Sequence, residues 1–140
     1  MKNLILILIF QIALMNAQSQ TLAKFEVFMT ITTDVNNSTS GQETPVAEGT
    51  SFVELYERAD EIFIDVSKGG STLEYEITEV LESGENEYGN RTHYAALLNG
   101  QTRQISVHYF TQYDEYTVTI IDPIYGNPEN TFTRWCRAVN

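Results

Sequence analysis

From residue 22 onward, apolar side chains recur at every second position in one short segment after another, and these segments are rich in Thr, Val, Ile, Tyr and Phe. Successive side chains leave a strand on opposite sides, so period two is the signature of a strand with one buried and one solvated face. The pattern predicts strands near 22–33, 50–56, 61–67, 72–80, 92–98, 101–111, 115–122 and 131–139, with no helical stripe. In the first of these, Phe25, Val27, Met29 and Ile31 alternate with Lys24, Glu26, Thr30 and Thr32. In the last the inner face does not resolve, because Phe132, Cys136 and Ala138 compete with Trp135 and Val139.

Turn chemistry fixes how neighbouring segments pair, and a correct register must put the apolar residues of both strands on one face. Gly69-Gly70 supplies two positions tolerant of positive φ and sets Ile62 opposite Ile77, Ile64 opposite Tyr75 and Val66 opposite Leu73. Asn99-Gly100 pairs Leu98 with Gln101, so Tyr94, Ala96 and Leu98 share a face with Ile105, Val107 and Tyr109. A turn near Gln112-Tyr113 adds Tyr116, Val118 and Ile120 to that face, and one around Arg58-Ala59 places Val53 and Leu55 with Ile62 and Ile64.

Short antiparallel connections of this kind make an all-β meander of about eight strands, either a small up-and-down barrel or a two-layer β-sandwich. Closure favours the barrel because it leaves no exposed edge. An outer-membrane barrel is disfavoured on three grounds: most of these strands are shorter than a bilayer crossing needs, Asp65, Glu74 and Glu76 would fall in a narrow lumen, and long and short loops do not alternate. A meander with a long segment after its first strand resembles lipocalin-type barrels in architecture alone. The G-x-W that opens such barrels is replaced by Leu22-Ala23-Lys24-Phe25, and no residue role is carried over.

The amino terminus is different in kind. Lys2 precedes the apolar run from Leu4 to Phe10 and then Ile12 to Met15, and the small residues Ala17 and Ser19 follow. This reads as a secretory signal peptide, residues 1–19, cleaved to leave a single all-β domain over 20–140. The run is too short for a membrane span, and no cysteine adjoins the cut to carry a lipid. The expected location is secreted or periplasmic, with no membrane insertion after cleavage.

Composition narrows the partners. The chain has 19 Asp+Glu against 8 Lys+Arg, a net charge of −11, and loss of Lys2 makes the exported part more acidic still. Nucleic acid is excluded as a partner, since phosphate neutralisation needs clustered Lys and Arg. The single cysteine, Cys136, permits no internal disulfide, so burial alone must hold the fold, and Cys136 itself reads as a small buried hydrophobe.

Three constellations could carry chemistry. Tyr75, Tyr94, Tyr109 and Tyr116 all project from the inner face, and buried phenols must satisfy their hydroxyls or line a pocket for a small apolar or amphipathic ligand. His93 and His108 fall as diagonal neighbours on the other face, and Asp65, Glu74 and Glu76 share the outer face of the Gly69-Gly70 hairpin. Either set is a candidate metal site. Two long loops, 34–50 and 81–91, carry the sequons at Asn36, Asn37 and Asn90. No nucleophile elbow, zinc-protease helix, P-loop or dinucleotide fingerprint is present, so no cofactor and no catalytic residue is expected. The sequence thus points to an exported, non-enzymatic barrel holding a ligand inside. The alternatives are a sandwich module binding a protein or glycan through its acidic face or loops, and a metal-dependent site.

Overall fold

The computed structural model describes residues 19–34, 41–68, 70–124 and 127–140. Residues 1–18 of the segment 1–19 read above as a signal peptide, the sequon residues Asn36 and Asn37, and Gly69 lie outside them. Nine antiparallel strands follow one another: β1 (Gln20–Asp34), β2 (Gln42–Pro45), β3 (Ser51–Arg58), β4 (Glu61–Lys68), β5 (Ser71–Asn86), β6 (Gly89–Leu98), β7 (Gln101–Phe110), β8 (Glu115–Ile124) and β9 (Asn127–Ala138).

Each strand from β3 to β9 pairs with the next, and β9 returns to β1 from Phe25↔Ala138 to Asp34↔Asn130, closing an eight-stranded barrel. Closure selects the barrel over the sandwich. The ninth strand, β2, shares one edge of β1 with β3. Residues 20–26 of β1 pair with β3, residues 29–32 pair with β2, and between them the Val46 N–H donates to the Phe28 carbonyl at 2.9 Å. Together β2 and β3 act as one strand interrupted at 46–50.

The hairpin registers stand as the turns predict: Ile62↔Ile77, Ile64↔Tyr75, Val66↔Leu73, Leu98↔Gln101 and Tyr94↔Ile105. Asn99 and Gly100 both take positive φ, as do Ala59 and Asp60, which form the β3–β4 turn one residue later than expected. The inner face packs Val27, Val53, Ile64, Val66, Tyr75, Ala96, Ile105, Val118, Ile120 and Cys136 into one buried cluster.

Three expectations are corrected. A register shift between Val27 and Met29 interrupts the alternation of β1, so Phe25 and Val27 face inward while Met29 and Ile31 stand outward, opposite Trp135 and Thr133. The segment 81–91 is not a loop: β5 runs on to Asn86 and returns through Glu87-Tyr88 into β6. Register shifts between Ile77 and Glu79 and between Val80 and Glu82 break the period there, and both faces of this extension are largely exposed, so no apolar alternation marks it. Finally, β1, β5 and β9 have 15, 16 and 12 residues, so strand length does not argue against a bilayer crossing. The outward placement of Glu54, Asp65, Glu74 and Glu76, where lipid would require apolar side chains, still does.

Candidate ligand site in the barrel interior

All four predicted tyrosines lie on the inner face. Tyr75 is 3% exposed and belongs to the core cluster, and Tyr94 and Tyr116 pack against that cluster half-buried. Tyr116 joins Phe25 and Tyr109, with ring centroids 4.6 and 4.8 Å apart, in an aromatic group at the β7–β8 end. The Tyr109 hydroxyl donates to Asp114 Oδ1 at 3.0 Å, which raises its pKa. The phenols are therefore spread along the interior and do not converge on one point.

The register of β9 resolves its inner face. Tyr116↔Cys136, Val118↔Arg134 and Ile120↔Phe132 put Phe132, Arg134 and Cys136 inward together, and Trp135 outward opposite Thr117. The barrel therefore holds a guanidinium that a purely apolar reading of its interior does not anticipate. Arg134 is flanked by Val118 on β8 and Thr30 on β1, and its Nη1 is sealed from solvent with no hydrogen-bond partner. Burial lowers its pKa, and the nearby Tyr75 phenol and Cys136 thiol act in the opposite sense. Arg103 also faces inward, opposite Ala96, and donates to the Thr102 carbonyl and to Gln101 Oε1. Cys136 is fully buried, and burial pushes its thiol up to about 12, which makes it inert.

The wall has a notch. Pairing between β5 and β6 begins at Glu76↔Leu97, so β6 does not run alongside residues 71–74 of β5. A groove of about 450 Å³ opens there, lined by the inner-face Leu73 and Leu98, by the outer-face Phe63, Glu74, Glu76 and Leu97, and by the Asn99-Gly100 turn. Leu73 lies on the inner face opposite Val66, yet it is 44% exposed.

The outer face accounts for the other candidates. Asp65 stands opposite Glu74, as predicted, and Glu76 stands opposite Phe63. Glu74 is committed: Arg58 Nη2 lies 3.1 Å from it, and the Tyr56 hydroxyl donates to it. Those two hydrogen bonds lower its pKa, that of Tyr56 first. Arg58 also covers the Phe63 ring at 4.3 Å, and Phe63 stacks on Tyr56. His93 is opposite Ser106 and His108 opposite Arg91, the predicted diagonal, and the His108 ring lies against Phe110 with centroids 3.9 Å apart and the planes tilted by 34°. Burial, and then the Arg91 charge, lower its pKa. Among the described residues no three of His, Cys, Asp and Glu gather where they could hold a metal ion. Of the second set, Glu74 is held by Arg58 and Tyr56, while His93 and His108 stand on the outer face as the diagonal pair the hairpin register predicts.

Sequence reasoning missed Arg134. The signal was the alternation Phe132, Arg134, Cys136: choosing the Phe132–Cys136 face as inner carries Arg134 with it. Neither a known protein family nor a curated protein matches this chain.

Proposed function

We propose that this is an exported, non-enzymatic β-barrel that carries a small amphipathic ligand in its interior. The observation that carries the reading is the notch between β5 and β6, where the inner-face Leu73 is 44% exposed in a groove it shares with Leu98 and with the outer-face Phe63, Glu74 and Glu76. An apolar surface of this kind, with a few polar groups set into it, suits a ligand with a hydrocarbon body and one polar end. Eight strands enclose space for side chains or for one small ligand, which limits the size of the occupant. Export rests on the amino-terminal pattern of charge, apolar run and small residues.

Melting curves test the reading. The neutral amphiphile 1-decanol should raise the melting temperature, because a ligand bound to the folded state alone stabilises it by mass action. Leu73→Glu, which sets a charge in the notch at an already exposed position, should abolish the rise without lowering the melting temperature of the unliganded protein much. No rise in the unaltered protein overturns the proposal.

A further inference from the structure

We infer that Arg134 anchors the head of a monoanionic amphiphile, a carboxylate on an apolar body, inside the barrel; this rests on the interior-binding reading above and gives it a ligand class. Burying a guanidinium without a counter-charge is strongly unfavourable, and proteins normally pair such groups. Even at the surface this protein pairs arginines: Arg58 meets Glu74 and Arg137 meets Glu115, each within 3.1 Å. At Arg134 the pattern fails. Its Nη1 is sealed without an acceptor, and among the residues whose side chains are described the groups that act on it are the Tyr75 phenol and the Cys136 thiol.

The surroundings choose the ligand. The inward neighbours on the same and adjacent strands, Val118, Ile120 and Phe132, are apolar, and the Tyr75 phenol acts on the guanidinium. A planar carboxylate matches the fork of an arginine in both geometry and charge. A phosphate dianion fits less well, because one guanidinium cannot balance two charges and the field of a protein with net charge −11 repels polyanions. A single charge buried against Arg134 with its hydrocarbon along the core satisfies both constraints.

Calorimetric titration of decanoate and 1-decanol, two probes with the same chain length, tests the inference on the unaltered protein and on Arg134→Met and Arg134→Lys. Decanoate should bind the unaltered protein, lose roughly tenfold to a hundredfold in affinity in Arg134→Met, and recover part of that in Arg134→Lys. The affinity for 1-decanol should change by less than about threefold across the three proteins. If both probes bind and Arg134→Met leaves their ratio unchanged, the anchoring role is overturned while interior binding stands. If neither binds the unaltered protein, interior binding falls and the anchor with it. Should Arg134→Met fail to fold, the unaltered protein decides alone. Its affinity for decanoate, but not for 1-decanol, must drop as the pH falls below about 4.5, where a carboxylate takes up its proton. An equal response of the two probes overturns the inference.

Discussion

Asp65 and Glu74 face each other across β4 and β5, and their carboxylates meet opposite fates: Glu74 receives Arg58 and the Tyr56 hydroxyl, while Asp65 Oδ1 is sealed without a hydrogen-bond partner. Burial first, and then the Glu74 charge, raise the pKa of Asp65, whereas the hydrogen bonds to Glu74 lower that of its neighbour.

The two groups should therefore push stability in opposite directions with pH. A carboxylate with a raised folded pKa favours the fold below its unfolded pKa, and that contribution disappears as pH rises through the folded value; Glu74, with a depressed pKa, contributes above its unfolded value and loses that contribution in acid. Asp65→Asn should thus stabilise the protein at pH 7, by a few tenths to about 1 kcal/mol, with the gain vanishing below about pH 4. Glu74→Gln should destabilise it by about 1 kcal/mol at pH 7, with the difference shrinking in acid. Urea melts of the three proteins at pH 7 and pH 3.5 give both signs, and a stabilising Glu74→Gln would refute the assignment.

Gly89 is irreplaceable for a reason of space. Its φ is +140°, and a Cβ there would lie 1.7 Å from the Tyr109 carbonyl oxygen, so β6 can start beside the end of β7 only with glycine. Gly89→Ala should destabilise by about 2 kcal/mol or more. Gly84 offers the control, since a Cβ at that exposed position in β5 meets nothing within 4 Å. Gly84→Ala should stay within about 0.5 kcal/mol of the unaltered protein. Equal effects in thermal melts would contradict the close approach of Gly89 to Tyr109 where β6 starts beside β7.

Cys136 should be chemically silent. With its side chain buried and its thiol pushed up to about 12, it should not react with a disulfide reagent in native buffer at pH 8 and should react promptly in 6 M guanidinium. Rapid labelling of the folded protein would show that the β8–β9 part of the core is open.

Much of this architecture was legible because turns and periodicity agreed. Asn99-Gly100 fixed the β6–β7 register, and the pairing of Ile62, Ile64 and Val66 with Ile77, Tyr75 and Leu73 followed from one glycine-rich turn. What escaped were the places where the period changes phase. Neither the shift near Phe28 in β1 nor those after Ile77 and Val80 in β5 has a residue signature, since a bulge is set by the partner strand as much as by its own side chains. Arg134 escaped for a related reason. Hydrophobic patterning sorts cations outward, so a buried one is read as surface until the register of its strand is known. The four tyrosines were placed on the correct face, but their depth along the barrel depends on strand stagger, which period two does not encode.

Whether a ligand lies inside the barrel can be read by methyl NMR of the protein titrated with decanoate. Interior binding shifts the inward methyls of Val118, Ile120 and Val27 and leaves those of the outward Met29, Thr119 and Thr133 unmoved. Shifts confined to the outward set, or none at saturating decanoate, would contradict it.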